Sequence, residues 1–224
     1  MPAIAQRQLV LFDVDGTLVD VRGAGRRAFV RALHQTWGVK DELLDVRFAG
    51  ATDLGVLQQL RQRLPLPDAH DTAFFQAMEQ TLLQELQAER PHVYDGVVDC
   101  VERCVAQRAV LGFVTGNARR CALVKVEQAG LDHRAFDVGA FGDEHPDRRA
   151  LAALARDRAQ QAHGAPFQRV LLIGDTPSDI DAAHSIGAVA VGVTTGSYDR
   201  QALLDCGADV VVDSLLELVV SQSV

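Results

Sequence analysis

Phe12-Asp13-Val14-Asp15-Gly16-Thr17-Leu18 directly follows the apolar run 9–12. A short apolar run bounded by turn residues reads as a buried strand. In parallel sheets, ligands bind outside the carboxyl ends of the strands. Asp13 and Asp15 therefore stand where a substrate would, and Gly16 permits a sharp turn there. A polar strand-to-loop turn uses the same residue types, so the stretch takes its meaning from what surrounds it.

Further apolar runs at 110–114, 170–173, 189–193 and 210–212 also read as buried strands. Helical spacing at 118–129, 149–161 and 179–186 alternates with them. The alternation predicts an α/β fold, a Rossmann-like parallel sheet with helices on both faces. The segment from Val21 to His92 breaks the rhythm. It carries three apolar stripes at helical spacing and no clear strand: Ala28, Phe29, Ala32, Leu33 and Trp37; then Leu54, Leu57, Leu60 and Leu64; then Phe74, Phe75, Met78, Leu82, Leu83 and Leu86. Such stripes are core-facing surfaces. The expected organisation is a catalytic core of residues 1–20 and 95–224 with a small all-helical cap domain, 21–94, inserted after the first strand. Hinges are expected near 19–22 and 90–96.

Two more polar clusters follow predicted strands. Thr115-Gly116-Asn117 offers a hydroxyl, an amide and backbone N–H groups near a helix start, which can meet phosphate oxygens; it also makes an ordinary turn or N-cap. Gly174-Asp175-Thr176-Pro177-Ser178-Asp179 puts Asp175 at a strand end, suited to a hard cation that prefers oxygen ligands. Asp179 can orient Asp175 or hold a metal-bound water, and Ser178 or Asp179 can equally open the next helix.

Taken together, DVDGTL, TGN and GDTPSD resemble three of the four motifs of the haloacid dehalogenase-like hydrolase superfamily, in order, with the helical insertion where that family places its cap. The resemblance covers essentially the whole chain and is nearest to the phosphoglycolate phosphatase-like branch. It implies that Asp13 is the nucleophile and Asp15 the acid/base. It implies Mg2+ held by Asp13, the Asp15 main-chain carbonyl and Asp175, and a phosphoryl group bound by Thr115, Gly116 and Asn117. The implied substrate is a small phosphorylated metabolite, phosphoglycolate-like or a sugar phosphate. A mutase of the beta-phosphoglucomutase type would return the phosphoryl group to a sugar. A non-catalytic phosphate-binding regulator would keep it on the aspartate. A dehalogenase would have no use for Asp15.

The sequence departs from the family pattern in two places. The region 142–151, where a Lys is usual, contains none; Arg148 is the expected replacement, with Arg149 next. Lys125 is read as a helix-face residue. Gly50-Ala51-Thr52-Asp53 has Ala51 where an Arg is frequent in the cap, and Arg22, Arg26 and Arg47 are possible compensating cations. His145 lies near the third motif and is read as a substrate contact or the partner of a local carboxylate.

The formal net charge of −8 gives no footing for a nucleic acid, whose backbone needs clustered Lys and Arg. The chain contains no apolar run near the ~20 residues of a membrane helix, and residues 1–8 lack the long apolar stretch of a signal peptide. No nucleic-acid or membrane partner is expected, and the expected location is cytoplasmic. The four cysteines lack zinc-site spacing; Cys100 and Cys104, one turn apart, read as buried thiols.

Overall fold

β1, Gln8–Phe12, is fully buried and lies near the middle of a six-stranded parallel sheet in a computed structural model that describes residues 7–40, 46 and 48–218. It pairs on one side with β4, Val110–Val114, and on the other with β6, Arg169–Gly174. β5, Val138–Ala140, extends the sheet beyond β4. On the opposite side β6 is followed by β7, Val189–Val193, and β8, Val210–Val212. The order β5-β4-β1-β6-β7-β8 reverses direction between β1 and β6. This is the topological switch point at which doubly wound sheets open a crevice. The strand tips that carry Asp13 and Asp175 flank it.

Helices cover both faces because the strands are apolar on both. One core layer packs Val10, Phe12, Leu111 and Phe113 with Val97, Cys100 and Cys104 of α4, Val97–Ala106, and Ala122 and Val126 of α5, Arg119–Gln128. The other packs Leu9, Leu11, Val114 and Leu172 against α6, Arg148–His163, α7, Pro177–Ser185, and α8, Arg200–Asp205. The short β5, Val-Gly-Ala, carries no apolar run long enough to be read as a strand from sequence.

The helical insertion consists of α1, Ala24–Trp37, α2, Asp53–Arg61, and α3, Asp71–Ala88. A third apolar cluster joins them. Phe29, Leu33, Leu57, Leu60, Phe74 and Met78 are buried in it, and the Phe29 and Phe74 rings meet edge to face at 5.0 Å. On α2 the buried face includes Val56, so it is rotated from the all-leucine stripe. Ala118 and Cys121 from the start of α5 join the same cluster, so α5 serves both cores. A two-stranded antiparallel ribbon ties the two ends of the insertion together: β2, Val19–Asp20, and β3, His92–Val93, with Val19 opposite Val93 and Asp20 opposite His92. The strand at His92–Val93 departs from the expectation of none up to that point. A two-residue run is too short to leave a pattern.

Candidate active site

β1 ends at Phe12, and its hydrogen-bond ladder continues one residue further, through Asp13 N–H to the Ile173 carbonyl at 2.9 Å. The carboxylate of Asp13 is thereby fixed at the sheet tip beside β6. The chain then reverses: Leu18 N–H reaches the Val14 carbonyl at 2.9 Å, and Gly16 adopts φ +75°, a left-handed conformation natural to glycine. At the tip of β6, Asp175 lies against the bare Cα atoms of two glycines. A Cβ on Gly16 would stand 2.4 Å from Asp175 Oδ2, and one on Gly196, 1.8 Å. Thr195 Oγ1 donates to the Gly16 carbonyl at 2.5 Å, which ties the loop after β7 to the turn after β1.

Arg148, the first residue of α6, is buried and holds two carboxylates. Its Nη2 lies 2.7 Å from Asp13 Oδ1 and 2.7 Å from Asp179 Oδ1, and it also donates to the Val114 carbonyl at 3.3 Å. Arg149 instead lies on the outside with Asp147 and Asp181. Asp179 is fully buried; its Oδ2 accepts from Thr176 N–H at 3.1 Å and Thr176 Oγ1 at 2.6 Å, in a capping box that opens α7. The reading of Asp179 as a helix cap holds geometrically; its second partner is Arg148, a contact the sequence reading did not foresee.

Asp13, Asp175 and Asp179 bring ligand oxygens within 4.8 Å of one another. Burial raises Asp13 to about 7, with Asp179 and Asp15 adding to the rise and Arg148 opposing it. Burial, then the neighbouring Asp13 and Asp179, raises Asp175 to about 8. Three buried carboxylates facing one buried guanidinium are short of positive charge. An all-oxygen donor set of this kind suits a hard divalent cation such as magnesium, so the residues present fit that ion. Both oxygens of Asp179 are already taken by Thr176 and Arg148, so Asp13 and Asp175 are the side chains that could hold such an ion.

Lys125 corrects the expectation of a helix-face residue. It is 1% exposed, and its Nζ bonds Asp15 Oδ2 and Asn117 Oδ1. Asn117 Nδ2 in turn donates to Asp15 Oδ2 and to Thr115 Oγ1, both at 2.9 Å. The reason is helical geometry. Position 125 is eight residues, about two turns, beyond Asn117, and helical side chains lean toward the N-terminus, so the ammonium reaches back to the motif. Burial pulls the Lys125 ammonium down, but Asp15 and then Asp53 outweigh it and hold it above its ordinary value.

The insertion closes over these groups. Asp53 N–H donates to the Gly116 carbonyl at 2.7 Å, Leu54 N–H to the Gly142 carbonyl at 2.9 Å, and Thr52 Oγ1 to the Pro146 carbonyl at 2.9 Å. Asp53 Oδ2 accepts from Ala118 N–H at 2.6 Å. Between insertion and core remains a cavity of about 490 Å3, lined by Asp13, Asp15, Asn117, Lys125, Arg148 and Asp175 on the core side and by Arg26, Phe48, Ala51 and Met78 opposite. This volume suits one small ligand. Arg26 lies over the Phe48 ring at 5.7 Å. Arg22 is paired with Glu89 on the surface, and Arg47 lies outside the described residues. His145 Nδ1 accepts the Asp147 N–H at 2.9 Å and is not part of the cavity lining, so it is a local turn contact.

The sequence reading missed Lys125, Gly196 and Thr195. The signal for the last two was present: Thr194-Thr195-Gly196-Ser197 follows the β7 run, a further strand end at the same edge. Among the described residues no helix is long and apolar enough to cross a membrane.

Residues 8–187 match the haloacid dehalogenase-like hydrolase family. A phosphoglycolate phosphatase of Chromobacterium violaceum is 31% identical, with 93% of this chain and 93% of that protein covered. A phosphoglycolate phosphatase of Synechococcus elongatus is 29% identical over 94% and 95% of the two chains. Among solved structures, a hydrolase from Pseudomonas syringae shares the fold at a TM-score of 0.69 and 23% identity, covering 94% of each chain. With the family match spanning most of its length, the chain belongs to the haloacid dehalogenase-like hydrolases and is a phosphatase among them.

Proposed function

We propose that the chain hydrolyses a small phosphomonoester, phosphoglycolate-like or a sugar phosphate, in a magnesium-dependent reaction through an aspartyl-phosphate on Asp13. The observation that carries this reading is the meeting of Asp13, Asp15, Asp175 and Arg148 at one cavity over the switch point of the sheet. The named activity of the two phosphoglycolate phosphatase relatives supports the substrate class.

Magnesium, held by Asp13, Asp175 and the Asp15 main-chain carbonyl, would supply positive charge that offsets repulsion between Asp13 and the phosphate. An Asp13 carboxylate oxygen attacks phosphorus. The bond from phosphorus to the ester oxygen breaks, and that oxygen takes its electron pair and a proton from the Asp15 carboxyl, leaving as the free alcohol. Water then attacks the phosphorus and gives its proton to the Asp15 carboxylate. The bond to Asp13 breaks, which restores both aspartates and releases inorganic phosphate. Thr115, Gly116, Asn117 and Arg148 bind the oxygens of the transferring group, in donor positions suited to developing negative charge; Arg148 takes the part of the Lys usual in the family. Asp179 keeps Arg148 in place.

In this reading residues 1–20 and 95–224 form the catalytic core and 21–94 a cap that opens and closes about the β2–β3 ribbon. Closure excludes bulk water during transfer. The cysteines, free thiols that are buried at positions 100, 104 and 121, fit a reducing, cytoplasmic compartment.

The test is phosphate release from a panel of small phosphomonoesters with and without magnesium. Release that needs magnesium and is abolished in Asp13→Asn is expected, with phosphoglycolate among the best substrates. Full activity in the Asp13→Asn protein would overturn the aspartyl-phosphate, and a sugar-phosphate isomer formed without free phosphate would identify a mutase.

A further inference from the structure

We propose that Lys125 is a positioning residue for the acid/base Asp15, holding its carboxylate both directly and through Asn117. The inference rests on the reading of Asp15 given above and deepens it.

Among the described residues, the side chains that hold the Asp15 carboxylate are Lys125 and Asn117, both on Oδ2; Oδ1 is buried without a hydrogen-bond partner. A carboxylate held on one oxygen depends on those two contacts for its rotamer. Lys125 governs both. An ammonium has donors and no acceptor. Its contact with Asn117 therefore requires the amide oxygen, which turns Asn117 Nδ2 toward Asp15 and Thr115. Without Lys125 the amide is free to reverse, and the second contact goes with the first.

The surroundings keep this ammonium in place. α1 presents Gly25 to it, where a Cβ would lie 3.0 Å from Nζ. Asp53, buried in the first turn of α2, adds negative charge from the insertion side. The Lys stem is sealed in α5, whose first turn belongs to the helical cluster. A solvated helix lysine would show none of these features.

A misplaced Asp15 damages a particular step, proton delivery to the departing ester oxygen. An alkoxide leaving group needs that proton, whereas an aryloxide of low basicity leaves largely without it. General acid catalysis contributes about 10²–10⁴-fold where it is needed. A purely structural lysine, or one serving the phosphate site as a whole, would affect both ester types alike.

The experiment compares kcat/KM, with magnesium, for an alkyl phosphate and for 4-nitrophenyl phosphate. The proteins are wild type, Lys125→Met, Lys125→Arg and Asp15→Asn. Expected is a fall in the alkyl-to-aryl ratio of about tenfold or more in Lys125→Met, a part of the general-acid factor, in the direction set by Asp15→Asn. Lys125→Arg, which keeps a donor-only cation, recovers part of it. If Lys125→Met does not fold, Lys125→Gln decides by the same ratio. Equal proportional losses on the two esters in whichever variant folds would overturn the inference while leaving the phosphatase reading intact. A wild-type protein inactive on both esters would overturn the reading beneath it and the inference with it.

Discussion

Gly196 shows how much a single missing atom can decide. Its Cα abuts the Asp175 carboxylate so closely that an added Cβ would stand 1.8 Å from Oδ2 and 2.4 Å from Cγ. Alanine there has no backbone penalty of the left-handed kind, since Gly196 is not among the positive-φ glycines. Its effect is confined to pushing Asp175 off its place. We expect Gly196→Ala to keep its far-ultraviolet circular dichroism, to need more magnesium for half-maximal activity, and to lose about 10²-fold in turnover, the scale of an ångström-sized misplacement. An unchanged magnesium requirement would mean that Asp175 is not a ligand. Such residues explain what was and was not legible in the sequence. Asp13, Asp15, Asp175 and Arg148 were legible because they follow strand ends or stand where a family cation belongs. Lys125 was not, because its role depends on a contact with a segment 110 residues away in the chain; Gly196 is marked by its strand end, but its close approach to Asp175, 21 residues away, is not written in either segment.

At the level of elements, α2 docks by its own N-terminus. The first N–H groups of a helix have no partner within it. Here those of Asp53 and Leu54 find carbonyls on the core loops at Gly116 and Gly142. Thr52 completes the clasp: its hydroxyl accepts the Gly55 N–H at 3.0 Å as an N-cap and donates to Pro146. Thr52→Val keeps the shape and removes both contacts. A loss of about 1–2 kcal/mol is expected, the usual worth of a cap. It should appear as faster hydrogen exchange at residues 53–56 and 116–118, with the sheet amides unaltered. Protection lost evenly across the chain would mean that the clasp has no local opening of its own. The clasp was only half visible beforehand. Gly50 to Asp53 stood out by resemblance, but its partners are backbone carbonyls, which side-chain identity does not report. The five apolar runs, by contrast, became strands because burial on both faces leaves the same mark in any parallel sheet.

For the molecule as a whole, the charge deficit at the switch point makes stability depend on pH and, if magnesium is bound as proposed, on the metal as well. Asp13 is raised from 3.8 to about 7, Asp53 to about 7 and Asp175 to about 8, burial being the first cause in each. An acid whose pKa is raised by folding binds its proton more tightly in the folded chain than in the unfolded one. Below about pH 4 both states hold the proton and no cost arises. As pH rises from there toward 7 to 8 the unfolded chain ionises first, and the folded state loses stability relative to it, the reverse of the usual carboxylate in a salt bridge. The metal-free protein should therefore have a lower unfolding midpoint at pH 8 than at pH 5.5. Magnesium held by the ionised carboxylates, as proposed, would act against this loss, so its effect should grow as pH rises, because fewer protons compete. At a hundredfold excess over its dissociation constant a ligand adds about 2.7 kcal/mol, which for a chain of this size is a rise in midpoint of about 5–10 °C. Thermal unfolding at pH 5.5 and pH 8, with and without magnesium, reads both effects. A magnesium-induced rise that is equal at the two pH values, or absent at pH 8, would place the metal away from Asp13 and Asp175. A rise confined to the higher pH joins the buried carboxylates, the cation and the strand order into one cause: a fold that gathers acids at its switch point at a cost in stability which the bound ion offsets.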